Sequence, residues 1–231
     1  MSLTDTHPAC SVTDAVERRR STRAFLDRPV AASTLKDILA TAARAPSGGN
    51  LQPWRVYALT GQPLKQVTDA VSAAFAANPR GAPSYDIYPA DLWEPFQGRR
   101  RACGEDLYKA IGVARDQKPE RWAHVARNYD FFGAPVGVFF CLERRLGPPQ
   151  WADLGMYMQS VMLLAVERGL ATCPQEAWAN FAGLVELTLG LPDELMVFAG
   201  MALGYADEAA LIDALVTARE PLEAFAELRG F

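Results

Sequence analysis

Histidine is almost absent from this chain of 231 residues: only His7 and His124 occur. A zinc site built from histidine and clustered cysteine therefore has no basis. Any Ser-His-Asp mechanism would have to run through His124, because His7 lies in a polar tail. The four cysteines, at positions 10, 103, 141 and 173, are scattered and form no CxxC pair. They read as free thiols of a reducing compartment, not as a disulfide framework. No GxGxxG follows a strand and no GxxxxGKS/T occurs, so neither a Rossmann dinucleotide site nor a P-loop is supported. Positive charge is in deficit: 23 Lys and Arg stand against 27 Asp and Glu, a net charge of −4. That argues against a dedicated nucleic-acid binder, yet leaves room for a local phosphate pocket. No apolar stretch reaches the roughly 20 residues of a membrane helix, and residues 1–30 hold no apolar signal core. The expectation is a soluble cytoplasmic protein without nucleic-acid or membrane partners.

What is present suffices for a folded core. Half of the residues are hydrophobic and 22% are charged, which excludes a wholly disordered chain. No repeat, linker or low-complexity tract divides the sequence, so residues 1–231 read as one domain. Thr13 is placed to cap a short helix ending at Arg18, and Ser33 to cap a second whose apolar face carries Leu35, Ile38, Leu39, Ala42 and Ala43. Pro46, Gly48 and Gly49 stop that helix. Strand signals follow at 55–60, at 136–142 (VGVFFCL) and at 195–205. Residues 62–78 read as helix, 78–98 as loop and 99–130 as two helical pieces split near Pro119. Residues 153–168 form a helix in which only Gln159 and Ser160 are polar between Leu154 and Val166; it must be covered all round, by the domain core or at a dimer seam. Residues 206–231 read as a charged helical tail. Helices outnumber strands and do not alternate with them, which favours α+β.

Three segments carry chemistry. Arg18-Arg19-Arg20-Ser21-Thr22-Arg23 is either an anion clamp or a solvated basic patch at a helix C-terminus. Ala45 to Trp54 (APSGGNLQPW) is either a backbone cradle for a flat or anionic ligand or a turn-rich connector. Gly169 to Trp178 (GLATCPQEAW) contains Cys173, either a nucleophile needing a base such as His124 or a buried inert thiol.

In order and spacing, these segments resemble the FMN-dependent nitroreductase family, and the similarity extends to Gly204-Tyr205 and Thr217 to Leu222 (TAREPL). The resemblance implies an α+β nitroreductase-like fold: a mostly antiparallel central sheet flanked by helices, in an intertwined homodimer whose C-terminal extension crosses to the partner. Two FMN molecules would sit at the seam. Arg19, Ser21 and Arg23 would hold the FMN phosphate, with Arg219 completing the clamp. The family often has a second base two residues before Arg219; this chain has Thr217, which shifts weight onto Arg19 and Arg23. Arg20 would touch the flavin edge or ribityl chain through backbone or side chain. Pro46, Ser47, Gly48 and Asn50 would come from the other subunit and lie along the ring. Pro174, Gln175, Glu176 and Ala177 would pass its opposite edge, with the Glu176 amide near flavin N5. Gln97 and Arg100 would bond the pyrimidine end, although a basic surface turn accounts for the same residues.

The implied activity is hydride transfer from NADPH or NADH through FMN to an electron-poor small molecule, by alternate occupation of one site. Such chemistry needs no catalytic side chain and no metal, since the flavin is the reacting group. A flavin carrier or sensor, or other flavin chemistry such as dehalogenation or flavin breakdown, stays open as the alternative. Trp93, Phe96, Trp122, Phe131, Phe132 and Trp178 are candidates for an aromatic acceptor pocket or for core packing. Residues 79–130 form the variable, substrate-side region.

Overall fold

The structure, a computed structural model, describes residues 10–231; His7 lies outside them. Four strands form one antiparallel sheet: β1 (Arg55–Leu59), β2 (Val136–Glu143), β3 (Ala171–Gln175) and β4 (Leu195–Gly204), in the order β1-β2-β4-β3. The described residues also form seven helices: α1 (Val12–Arg18), α2 (Ala32–Ala42), α3 (Gly61–Ala77), α4 (Phe96–Ala110), α5 (Lys118–Ala126), α6 (Pro148–Glu167) and α7 (Ala182–Leu189). No described helix is long and apolar enough to cross a membrane.

The continuous apolar run of β2 follows from its place in the middle. Side chains alternate along a strand. Val136, Val138, Phe140 and Leu142 therefore pack against α2 and α6, while Phe139 and Cys141 pack against the other cluster, with Val67 of α3 and Val185 of α7. Both faces are dry, so no polar residue stands between Val136 and Leu142. One residue of β4 is skipped in the pairing, since Phe140 lies opposite Ala199 and Cys141 opposite Val197. The carbonyl of the bulged Phe198 accepts from the Tyr85 hydroxyl at 2.7 Å, and the two rings stack. The variable region is thereby tied to the sheet.

Several expectations are corrected. Ser11, not Thr13, caps α1, because Ser11 and Asp14 form a reciprocal capping box. Helix α2 starts at Ala32 without a side-chain cap, and Ser33 lies inside its first turn. Helix α6 begins at Pro148, where a proline costs no hydrogen bond. Segment 171–175, singled out for its chemistry, is a strand. The C-terminal tail is not helical beyond two short 3-10 turns, Leu211–Ala214 and Leu222–Ala224. Nor is α6 covered all round by its own chain: Ala152, Gly155 and Met156 are exposed, and Gln159, Leu163 and Val166 are half-buried, forming one open stripe.

Of the aromatic candidates, Phe131, Phe132 and Trp178 are core residues, whereas Trp93, Phe96 and Trp122 are exposed. The Trp178 indole stacks on Phe131 with centroids 4.5 Å apart and meets Phe139 and Tyr129 edge-on. Its remaining side lies on the bare Cα of Gly200, where an added Cβ would come within 2.6 Å of Nε1. The walled-in indole has no room to retreat. Gly200→Ala should therefore cost about 1–3 kcal/mol through overpacking; thermal unfolding measures it, and an unchanged melting temperature would contradict this packing.

Candidate functional site

The segment after α1 is extended, and it docks beside β3. Ser21 forms a parallel bridge with Thr172, and the Thr22 amide donates to the Thr172 carbonyl at 3.0 Å. On the other side the Leu26 amide donates to the Tyr205 carbonyl at 2.9 Å. In an extended segment alternate side chains diverge. Arg18, Arg20 and Thr22 line a groove of about 820 Å³ that also takes in Leu170, Tyr205 and Asp213. Arg19, Ser21 and Arg23 are the alternate set.

That alternate set is where positive charge gathers. Burial, and then the Arg219 guanidinium beside it, hold Arg19 below the usual basicity of arginine. Arg19 and Arg23 both act on Cys173, so the two flank the same strand end. Arg219 arrives from nearly the other end of the chain. Its Nη1 is turned by Thr217, whose hydroxyl accepts at 2.7 Å and whose carbonyl accepts at 3.1 Å. The residue that departs from the family pattern thus orients the base that remains. Among the described residues, none of Arg19, Arg23 and Arg219 forms a salt bridge. Three unneutralised guanidinium groups and the Ser21 hydroxyl are the donor set a phosphate dianion requires.

Arg20 is spent differently. Its Nη1 donates to the carbonyl of Asp213 at 2.9 Å, so its side chain holds the C-terminal segment. Asp213 has no sequence signal: nothing in Leu211 to Leu215 (LIDAL) marks it.

Next to this cluster runs the end of β3. Gln175 is buried, its Nε2 donates to the Asn128 carbonyl at 2.7 Å, and its Oε1 has no partner; nor has Thr172 Oγ1. Pro174 and Ala177 are half-buried and Glu176 is exposed at the start of the turn Glu176–Phe181. The variable region borders this turn, because the Ala82 and Ser84 amides donate to the carbonyls of Asn180 and Ala179 at 2.8 and 3.1 Å. Gln97 and Arg100 sit exposed in the first turns of α4, with Arg100 over the Tyr88 ring at 4.2 Å. It is Arg99 that reaches the C-terminal arm, donating to Glu220 at 2.9 Å.

The glycine loop lies elsewhere. Its Gly48 amide donates to both carboxylate oxygens of Asp153, at 3.2 and 3.3 Å, near the head of α6. Asp153 is buried, and its only signal in the sequence is an acid at the start of an apolar helix. Ser47 Oγ accepts from the Gln52 amide at 3.0 Å. Asn50 and Gln52 hold φ of 56° and 49°, conformations that strain residues bearing a side chain. Pro46, Gly48 and Asn50 are exposed. Helix α6, with 20 residues, is about 30 Å long. The loop sits toward its beginning and the arginine cluster beyond its end, so one chain does not close both around one ligand.

The cysteine hydrolase reading has no support in the geometry. Burial pushes the Cys173 thiol up to about 11, and the His124 ring faces Tyr108 and Phe132. Burial, with Arg23 and Arg127 nearby, lowers His124 to about 4, so it is neutral at pH 7. Among the described residues no group of three His, Cys, Asp or Glu could hold a metal.

Comparison with known proteins identifies the family. The family model described as the nitroreductase family matches residues 16–205. The chloronitrobenzene nitroreductase of Comamonas testosteroni is 40% identical over 218 residues, covering 93% of this chain and 95% of its own. The 4-nitrobenzoate reductase of Pseudomonas putida is 37% identical over 216 residues, covering 94% of each. A crystal structure of the FMN and NADPH-dependent nitroreductase NfnB from sphigopyxis sp. strain HMH matches with a TM-score of 0.94 at 48% identity, over 96% of this chain and 100% of that one. The chain belongs to the nitroreductase family.

Proposed function

We infer that the protein is an FMN-dependent oxidoreductase that takes hydride from NADPH or NADH and reduces an electron-poor acceptor, with nitroaromatics first among the candidates and quinones or activated alkenes beside them. The observation that carries this reading is that Arg19 and Arg23 leave one extended segment on the same side, with Arg219 near Arg19 and no salt bridge on any of the three among the described residues, in a chain of this family.

The chain's residues fit FMN by their chemistry. Arg19, Arg23, Arg219 and Ser21 would bind the phosphate, each charge-assisted bond contributing about 1.5–3 kcal/mol. The unpartnered Gln175 Oε1 at the end of β3 offers a polar contact to the ring edge. Bound FMN supplies the redox step, accepting hydride from the nicotinamide and passing it to the acceptor. The protein's part is to hold, stack and exclude water. Gln97 and Arg100, or their neighbour Arg99, would face the pyrimidine end. Exposed Trp93 and Phe96, packed edge-on at 5.5 Å, offer a flat acceptor an aromatic wall within the substrate-side region 79–130.

A second copy would complete the site. The open stripe of α6, and the exposed Val216, Phe225 and Phe231 of the C-terminal arm, are surfaces awaiting a homodimer partner. That partner would bring Pro46, Ser47, Gly48 and Asn50, already shaped by Asp153, to the flavin. The free thiols favour the cytoplasm.

The test is the visible spectrum of the purified protein under anaerobic NADPH or NADH. A flavin spectrum that bleaches with a stoichiometric amount of either and returns with a nitroaromatic is expected; a colourless protein, or a flavin that stays oxidised, rejects the enzyme. Arg23→Ala should lower FMN affinity by about tenfold or more, the loss of one charged hydrogen bond; flavin titration reads it. The depressed His124 makes the folded flavin-free protein bind fewer protons than the unfolded chain between pH 6.5 and about 4. Its stability is present above pH 6.5 and falls as the pH drops through that window. Melting curves should show a shallower fall in His124→Gln.

A further inference from the structure

We propose that Asp213 is the positioning residue of the phosphate clamp, joining the Arg19–Arg23 segment to the C-terminal arm that carries Arg219. The proposal rests on the reading of that cluster as the FMN phosphate site. Asp213 Oδ1 accepts from the Arg23 amide at 2.7 Å, across 190 positions of sequence. The Ala24 amide also supports the carboxylate. The Asp213 carbonyl accepts from Arg20 Nη1 at 2.9 Å. One residue therefore fixes the backbone of one clamp arginine and consumes the side chain of its neighbour, which turns Arg20 away from the alternate set. Buried Ile212, in the same 3-10 turn, anchors that turn in the core. The six residues from Asp213 to Arg219 span at most about 20 Å, so the place where Asp213 is held limits where Arg219 can reach.

The choice of an acid is informative. A carboxylate among Arg19, Arg20, Arg23 and Arg219 would ordinarily neutralise a guanidinium. Asp213 instead spends Oδ1 on the Arg23 amide and leaves Oδ2 buried without a partner. The three clamp guanidinium groups thus keep their charge for a ligand. On this reading the acceptor geometry of Asp213 matters to the phosphate, and its own charge, of the ligand's sign, does not help.

The experiment strips flavin from the wild type, Asp213→Asn and Asp213→Ala, then titrates each with FMN and with riboflavin, which lacks the phosphate, while melting curves record stability. The wild type should bind FMN more tightly than riboflavin. Asp213→Ala should lose FMN affinity by about tenfold or more with riboflavin affinity unchanged. Asp213→Asn, which keeps the acceptor, should stay within about threefold of wild type for FMN. FMN affinity unchanged in Asp213→Ala overturns the proposal. So does a parallel loss of both flavins with the melting temperature, which marks a merely structural role, and so does a tenfold loss in Asp213→Asn, which folds even where the alanine variant does not. A wild type that binds neither flavin overturns the flavin reading itself, and one that binds both equally overturns the phosphate clamp.

Discussion

Like charges brought together without an acid to pair them are the constraint on which this molecule turns. Arg19 and Arg219 lie 200 positions apart in sequence, yet the presence of one lowers the basicity of the other. Such a pair is unfavourable by itself, and folding places it only because the surrounding structure is strong enough to hold it. The cost is offset when a dianion enters. On the proposed reading, the same repulsion gives the clamp selectivity for a doubly charged group over a neutral one.

Strength of that kind comes from the sheet. Strands β2 and β4 are buried on both faces, so their positions are fixed by two independent cores and not by one. Edge strand β3 hangs on β4, and the Arg19–Arg23 segment hangs on β3 through Thr172. The clamp is thus one strand removed from the most rigid part of the fold, and its side chains alternate as a strand's do. The glycine loop has a different support, the buried carboxylate of Asp153. Loop and clamp belong to opposite ends of α6. On the proposed reading, a chain that shapes both halves of a cradle but separates them by a helix's length needs a second copy to bring them together.

The sequence made some of this legible and hid the rest for physical reasons. VGVFFCL announces a central strand because both faces of β2 are dry. Strand β3 contains Thr, Pro and Gln, and its partners are ones that periodicity does not reveal: the Thr172 backbone bridges to the docked segment, and the Gln175 side chain reaches Asn128. The tail from Leu211 has helical composition but is mostly exposed beyond its first turn, and composition alone does not sustain a helix. Ser33 looks like a cap because Ser commonly is one, but α2 begins one residue before it, directly after an extended Ala31. In the site, arginine-rich and glycine-rich segments are visible by composition. Asp153 and Asp213 are not, because each is a single acid whose partners are backbone amides far away in sequence.

Those two acids share a logic. Each lies half-buried or deeper, and each accepts from main-chain amides of a ligand-facing segment instead of pairing with a base. A carboxylate bonded to amides fixes the backbone while adding no competing salt bridge, which would absorb a guanidinium needed elsewhere. On the proposed reading arginine faces the phosphate, and aspartate sets where the backbone that carries it stands. That division explains why Arg20, identical in type to its neighbours, is held to a carbonyl and not to an anion. The role of each arginine in the run is decided by the parity of its position along an extended segment and by what stands across from it, not by its identity. A run of three identical residues therefore yields distinct functions as soon as the chain is straightened beside a strand.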